Sequence, residues 1–82
     1  MRHQYTTKGT CSTQIQFDLE DNIVHNVTFV DGCNGNLQAL GRLVEGFSVD
    51  EIEEKLKDIR CGSRSTSCAE QLCIGIRQAY EQ

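Results

Sequence analysis

The sequence predicts an α+β domain in which a small antiparallel sheet of two or three strands is followed by three helices packed on one face. Three observations lead to this fold class. The first half of the chain carries two apolar runs with a period of two residues, separated by a turn signal at 20–22. The second half carries three segments of helical periodicity, and two of these begin at capping motifs. The third observation is the order of these elements, because strands that come before helices in the chain are typical of α+β domains.

Two strands are predicted to form a hairpin over residues 12–30, and residues 2–8 are a candidate edge strand. Alternation of apolar and polar residues gives each hairpin strand one apolar face. The residues expected on that face are Ile15, Phe17 and Leu19 in the first strand and Ile23, Val27 and Phe29 in the second. His25 shares the apolar side of the second strand, where we expect a partly buried sheet residue without a function.

The first two helices are predicted after Gly32. The first is expected to stop at Gly46, because glycine readily adopts the left-handed conformation that ends many helices. The second lies within 47–59 and begins at a capping box formed by Ser48 and Glu51. The residues expected to be buried are Leu37, Leu40, Gly41 and Val44 in the first helix and Val49, Ile52, Leu56 and Ile59 in the second.

The third helix is predicted within 67–80. Ser67 and Glu70 form a second capping box, which places Cys68 at the first helical position. The residues expected on its buried face are Ala69, Leu72, Cys73, Ile76, Ala79 and Tyr80. Cys73 lies five residues beyond Cys68, so on a helix of about 3.6 residues per turn it points away from Cys68. We expect Cys73 to be a buried core residue.

Length, charge and composition narrow the range of functions. The chain has 82 residues, which fits a single domain spanning 1–82. Its net charge is −4 and its basic residues form no cluster, so we expect no nucleic-acid partner. No apolar run approaches the roughly 20 residues of a membrane span, and the N-terminal residues lack an apolar leader. We therefore expect a cytoplasmic protein without membrane contact, and the sequence leaves its oligomeric state open.

Four of the five cysteines lie at the ends of predicted elements. Cys33 precedes the first helix and Cys68 opens the third, where the positive end of a helix dipole stabilises a thiolate. Cys11 opens the first hairpin strand, and Cys61 lies between the second and third helices. One end of a sheet covered by helices can gather such positions. The candidates for a thiol-lined site that binds a metal or carries out redox chemistry are therefore Cys11, Cys33, Cys61 and Cys68.

Four thiolates suit Zn²⁺ in a closed tetrahedral site or an iron–sulfur cluster, and the sequence leaves this choice open. A closed site has a structural, regulatory or carrier role, because catalytic zinc keeps an open coordination position. No Ser–His–Asp or Cys–His constellation is recognisable, and the paired carboxylates at 50–51 and 53–54 are expected to be surface charge. We therefore expect no enzymatic activity of the chain on its own. A redox-active dithiol of Cys61 and Cys68 is an alternative, although the chain has no C-x-x-C motif.

Two segments, CGSR at 61–64 and TSCAEQL at 66–72, resemble the signature of the TSCPD-domain family, and the resemblance covers most of the chain. Ala69 and Glu70 stand where the name motif has proline and aspartate. The family includes small stand-alone proteins with four cysteines and a C-terminal module of some ribonucleotide reductases. The resemblance implies a metal-binding domain. As an alternative, it implies an accessory or interaction module whose partner is ribonucleotide reductase or another protein.

Residues 10–56 are similar, more distantly, to the core of the iron–sulfur scaffold family of the IscU/NifU N-terminal type. This resemblance implies an IscU/NifU-like fold with one metal-binding rim. The cysteines that it places on the rim are Cys11, Cys33 and Cys68. Thr13 and Ser67 stand where that family has an acidic residue and a histidine, and Cys61 is the candidate replacement ligand. A site of four thiolates is the more economical interpretation.

Overall fold

The computed structural model describes residues 2–10, 12–32, 34–57, 59 and 66–82, and within them a three-stranded antiparallel sheet is followed by three helices. The elements are β1 (Arg2–Thr6), β2 (Gln14–Glu20), β3 (Ile23–Val30), α1 (Asn34–Leu43), α2 (Val49–Leu56) and α3 (Cys68–Glu81). β2 is the central strand and pairs with β1 on one side and β3 on the other. This arrangement confirms the predicted α+β class and the predicted edge strand.

The core lies between one face of the sheet and the helices. α1 packs on β3, α3 packs on β1 and β2, and α2 packs on α3. The alternation predicted for β2 is confirmed, because Ile15 and Phe17 are fully buried and Leu19 packs against the core. The buried residues that form the core cluster are Ile15, Phe17, Val24, Val44, Val49, Ile52, Leu72, Cys73 and Ile76.

A β-bulge in β3 changes which of its side chains face the core. At the bulge two residues of β3 lie opposite one residue of β2, and one of them, Asn26, has a left-handed φ of +56°. Because the extra residue shifts the alternation, Val24 is fully buried and Ile23 is only half-buried. The expectation that Ile23 faces the core is therefore wrong. Val27 and Phe29 lie on the other side of the bulge and pack against the core as predicted.

Glu45, in the turn after α1, holds this bulge in place. Its carboxylate accepts a hydrogen bond from the backbone N–H of Asn26 at 2.8 Å. The other carboxylate oxygen is hydrogen-bonded to Nδ1 of His25. These hydrogen bonds, the one from Asn26 first, lower the pKa of Glu45. His25 is partly buried as predicted, and its ring helps to join the end of α1 to β3.

α1 lies close to β3 at Gly41. A Cβ added at this position would lie 2.7 Å from the carbonyl oxygen of Val27, well inside normal contact distance. The residues of α1 and its following turn that are buried or pack against the core are those predicted, Leu37, Leu40, Gly41 and Val44. α1 ends at Leu43, and Gly46 lies in the following turn with a φ of +79°, the left-handed conformation expected of it.

α2 begins at the predicted capping box. The hydroxyl of Ser48 accepts from the backbone N–H of Glu51 at 3.1 Å, and the Glu51 carboxylate accepts from the Ser48 N–H at 3.0 Å. The hydrogen bonds from Ser48 lower the pKa of Glu51. α2 ends at Leu56, because Lys57 adopts an extended conformation. Ile59 lies beyond the helix and is 42% exposed, so the expectation that it belongs to the buried face is wrong.

α3 buries a face that differs in part from the predicted one. The apolar residues on this face that are buried as predicted are Leu72, Cys73 and Ile76. Gln71 and Gly75 are buried as well, whereas Tyr80 is 45% exposed, contrary to expectation. A Cβ added at Gly75 would come within 2.9 Å of the Tyr5 side chain. The absence of a side chain at this position therefore lets α3 lie close to β1.

Candidate functional site

Cys68 opens α3 at the end of the sheet where the loop between β1 and β2 lies. Ser67 is the N-cap residue, and its hydroxyl accepts from the backbone N–H of Glu70 at 3.0 Å. The N-cap predicted from the sequence is thus confirmed, and Cys68 is the first residue of the helix. Cys68 is only 8% exposed. Its thiol therefore faces protein groups more than solvent.

The hydroxyl of Ser12 lies 3.1 Å from the sulfur of Cys68. Ser12 is 2% exposed, so both members of this polar pair are buried. The two residues are 56 positions apart in the chain, and no local pattern in the sequence indicates the contact. Ser12 directly follows Cys11, one of the predicted ligands. The contact therefore joins the segment next to one predicted ligand to another predicted ligand.

Hydrogen bonds within the loop between β1 and β2 fix the backbone of Ser12. Its carbonyl oxygen accepts from the hydroxyls of Thr7 and Thr10, the second at 3.1 Å. The Thr10 hydroxyl also lies 3.3 Å from the Ser12 hydroxyl. The backbone N–H of Thr7 donates to the carbonyl of Thr13 at 3.2 Å and closes the loop. The loop thus holds Ser12 against the first turn of α3.

The end of β3 reaches the same end of the sheet. The backbone N–H of Thr13 donates to the carbonyl of Val30 at 2.9 Å, and the Thr13 hydroxyl donates to the Asp31 carboxylate at 2.9 Å. Asp31 and Gly32 have φ angles of +64° and +87°, so the chain turns sharply after β3. The start of β2 is therefore in contact with the segment that leads to α1.

Gln71 is a second buried polar residue that was not predicted from the sequence. It is 5% exposed, and its side-chain oxygen accepts from the Tyr5 hydroxyl at 3.3 Å and from the backbone N–H of Lys8 at 3.1 Å. Its amide nitrogen donates to the Thr66 hydroxyl at 3.2 Å. Its spacing of three residues from Cys68 is the one sequence signal for burial on the same face. Gln71 ties the start of α3 to β1 and to the loop that carries Ser12.

The structure describes one of the four predicted ligands, Cys68. Cys11, Cys33 and Cys61 lie outside the described residues. Among the residues that are described, no three side chains of His, Cys, Asp or Glu lie together in a way that could hold a metal ion. The four-cysteine site stays a prediction, because three of its members are not among these residues.

The chemistry of the predicted donor set fits a thiophilic metal. Soft thiolate ligands select zinc and iron–sulfur clusters over hard cations such as Mg²⁺ or Ca²⁺. The surroundings of Cys68 are compatible with such a role, because its sulfur is buried and lies within hydrogen-bond distance of a hydroxyl group. Groups that hydrogen-bond to a ligand orient it and tune its affinity for the metal.

Cys73 belongs to the core, as predicted. It is 4% exposed, and its thiol donates to the carbonyl of Ile52 in α2, with 3.8 Å between sulfur and oxygen. Burial, together with the negative charges of Glu53 and Glu70, raises the pKa of the Cys73 thiol to about 12. At neutral pH this cysteine is therefore protonated, which makes it a poor metal ligand and a poor nucleophile.

A groove of about 600 Å³ between α2 and α3 is lined largely by charged side chains. Arg77 forms ion pairs across it with Asp50 and Glu53, and its Nε lies 2.9 Å from the Glu53 carboxylate. Hydrogen bonds to Glu53 and Asp50 raise the pKa of Arg77, and the hydrogen bonds from Arg77 lower the pKa of Glu53. Two carboxylates that were expected to be surface charge thus join α2 to α3.

Fold and site together define a small α+β domain with a buried thiol at the start of its last helix, held against the loop between its first two strands. The sequence profile of the TSCPD domain matches residues 1–80, and the chain belongs to the TSCPD-domain family. No curated protein and no solved structure matches the chain. The resemblance to the iron–sulfur scaffold family stays an expectation. Within the part of the chain that the structure describes, none of the helices has the length and apolar character needed to traverse a membrane.

Proposed function

We propose that this protein is a small metal-binding member of the TSCPD-domain family. The proposed ligands are Cys11, Cys33, Cys61 and Cys68. The bound group is a zinc ion or an iron–sulfur cluster, since four thiolates accept either. Four protein ligands leave no open position on a tetrahedral ion, so the proposed role is structural, regulatory or that of a carrier.

The contact between the Ser12 hydroxyl and the Cys68 sulfur, at 3.1 Å, carries the proposal. Ser12 is the covalent neighbour of Cys11. The residue after Ser12 contacts Asp31, which precedes Cys33 by two positions. Three segments that are distant in the sequence are therefore joined by contacts among residues that are, or lie within two positions of, three of the proposed ligands. An ion bound by these cysteines requires such a juxtaposition.

The size of the domain adds a physical reason for a metal. A chain of 82 residues has a thin core, and scaffolds of roughly 70–80 residues or fewer often need a disulfide, a metal or a partner subunit for stability. The proposed ligands come from four separate places along the chain. One ion held by all of them would tie the start of β2, the turn before α1 and the start of α3 together.

Anaerobic purification followed by metal and sulfide analysis and a visible spectrum tests the proposal. We expect either one zinc ion per chain without sulfide, or iron and sulfide with visible absorption. Cys11→Ser and Cys68→Ser should lower the metal content strongly. Cys73→Ala is the matched control, because it removes a cysteine from the core, and it should keep the metal content of the wild type.

Two results would contradict the proposal. One is full metal content in both Cys11→Ser and Cys68→Ser. The other is a wild-type protein that binds neither zinc nor iron after reduction. If mass spectrometry then showed a reversible disulfide between Cys61 and Cys68, the alternative of a redox-active dithiol would take its place.

Family membership over residues 1–80 favours a second candidate function, an accessory or interaction module for ribonucleotide reductase. The resemblance described from the sequence implies this partner, because the family includes a module of some of these enzymes. Binding of the purified chain to a purified ribonucleotide reductase, measured by calorimetry, would support it. The absence of binding at high concentrations of both proteins would argue against it.

A further inference from the structure

We infer that Ser12 is a positioning residue for the proposed metal site. The Ser12 hydroxyl donates a hydrogen bond to the sulfur of Cys68 when that sulfur is a metal-bound thiolate. The inference rests on the proposed function and deepens it. Ser12 is not a ligand in this view. It acts through Cys68, by orienting the sulfur and by withdrawing electron density from it.

The location of the pair makes the hydrogen bond effective. Ser12 and Cys68 are 2% and 8% exposed, and 3.1 Å separates the oxygen from the sulfur. Buried polar groups are nearly always hydrogen-bonded, because a lost partner cannot be replaced by solvent. Hydrogen bonds to an ionised acceptor are roughly twice as strong as those between neutral groups. A thiolate at this position would therefore gain from the Ser12 hydroxyl more than a thiol does.

Whether Cys68 is a neutral thiol or a metal-bound thiolate decides which atom of the pair donates the hydrogen bond. A neutral Cys68 thiol can donate to the Ser12 oxygen, and Ser12 can then donate to the Thr10 hydroxyl, which lies 3.3 Å away. A metal-bound thiolate carries no proton and can only accept, so Ser12 has to donate to the sulfur. The hydroxyl proton rotates about the C–O bond, so this reversal needs no movement of a heavy atom.

The structure fixes both ends of this hydrogen bond. The carbonyl of Ser12 accepts from the hydroxyls of Thr7 and Thr10, which holds the residue in its loop. At the other end, the side-chain amide of Gln71 donates to the Thr66 hydroxyl and accepts from the Tyr5 hydroxyl and the backbone N–H of Lys8. These hydrogen bonds hold the start of α3 in place. A donor that is already in place loses little conformational entropy when the metal binds. Partners of this kind alter metal affinity when they are removed.

The test uses three forms of the full chain, the wild type, Ser12→Ala and Thr7→Val. Ser12→Ala removes the donor and keeps the Cβ atom. Thr7→Val is the matched control, because it removes a hydrogen bond to the Ser12 carbonyl from the same loop without touching the sulfur. Zn²⁺ dissociation constants are measured by competition with a chromophoric chelator under reducing, anaerobic conditions. The Co²⁺-loaded forms are compared by their thiolate-to-metal charge-transfer bands, and circular dichroism of the metal-free forms verifies folding.

Ser12→Ala is expected to bind Zn²⁺ about 10–100-fold more weakly than the wild type. Its Co²⁺ charge-transfer band should move to lower energy, because a thiolate without the hydrogen bond is a better electron donor. Thr7→Val should keep the position of the wild-type band and lose less affinity than Ser12→Ala, because the Thr10 hydroxyl still donates to the Ser12 carbonyl and the donor to the sulfur is retained. A charge-transfer band is determined at the sulfur, so a purely structural role of Ser12 would leave the band unchanged.

The outcomes separate the inference from the function on which it rests. Unchanged affinity and an unchanged band in Ser12→Ala, with binding lost in Cys68→Ser, would overturn the inference and leave the proposed function standing. Equal losses of affinity in Ser12→Ala and Thr7→Val, both with the wild-type band, would overturn it as well, because the loop and not the donor would then be responsible. A wild-type protein that binds neither Zn²⁺ nor Co²⁺ would overturn both.

Discussion

Adding one methyl group at Gly41 should destabilise the protein, although alanine is a better helix former than glycine. The Cβ atom of Gly41→Ala would lie 2.7 Å from the carbonyl oxygen of Val27, a distance that real Cβ contacts essentially never show. The obstacle is the backbone of β3, which cannot rotate away as a flexible side chain could. Either α1 moves outward or β3 shifts, and both changes loosen the packing between them.

The magnitude follows from two opposing effects. Overpacking in a well-packed region costs about 1–3 kcal/mol, and we expect about 2–3 kcal/mol here because the clash is with backbone. Replacing glycine by alanine inside a helix returns about 1 kcal/mol. The expected net loss is about 1–2 kcal/mol of unfolding free energy. For a domain of this size, 1 kcal/mol corresponds to roughly 4–8 °C, so the melting temperature should fall by roughly 4–16 °C.

Denaturation by urea and by heat, followed by far-ultraviolet circular dichroism of the metal-free protein, measures this loss. Gly35→Ala in the same helix is the control, because among the described residues no atom beyond its chain neighbours and the backbone of its own helix lies within 4 Å of the added Cβ. It should be neutral or stabilising by up to about 1 kcal/mol. If Gly41→Ala were as stable as the wild type, or if both variants gained stability, α1 would not be seated on β3 at the distance described.

Cys73→Ala should cost about 1 kcal/mol of unfolding free energy, because it opens a small cavity beside Ile52, and should leave metal content unchanged; loss of metal would contradict its place in the core. Glu45→Gln should destabilise the protein near neutral pH and much less in acid, as urea titrations at the two pH values can show. The hydrogen bonds from Asn26 and His25 lower the pKa of Glu45, so its contribution is present above the ordinary glutamate pKa of about 4.3 and is lost as the pH falls through the lowered value. Equal destabilisation at both pH values would refute this reasoning. A chelator should lower the melting temperature of the wild type markedly and that of Cys68→Ser little. The reason is that an ion that binds only the folded chain stabilises it by about 4 kcal/mol when the free ion concentration is a thousandfold above Kd. Equal melting of both proteins in the presence of Zn²⁺ would show that the site is not coupled to folding.

Short-range patterns were sufficient to predict the elements of this fold. The alternation in β2, the capping box of Ser48 and Glu51 and the N-cap at Ser67 each depend on residues only a few positions apart, and the structure contains all three. The burial of Cys73 was predicted for the same reason, because its spacing from Leu72 and Ile76 places it on an apolar side of one helix. The type of each element and its buried side are thus largely local properties of the chain.

The prediction of the candidate site was less complete. The positions of the cysteines at the ends of elements predicted four ligands, and the placement of Cys68 at the first turn of α3 is confirmed. The buried polar residues around it, Ser12 and Gln71, were not predicted. In a linear sequence a serine beside a cysteine has no feature that distinguishes it from a residue in solvent. For Gln71 the one signal is its spacing of three residues from Cys68.

By itself the sequence determined the order of strands and helices, the starts of α2 and α3 and most of the apolar residues of the core. Only the tertiary structure decided that Val24 and not Ile23 enters the core, because the bulge at Asn26 is held by Glu45, 19 residues further along the chain. It also decided that Ser12 meets Cys68 across 56 positions. Hydrophobic periodicity is set within a few turns of one element, whereas the partner of a buried polar group is set by which elements pack together.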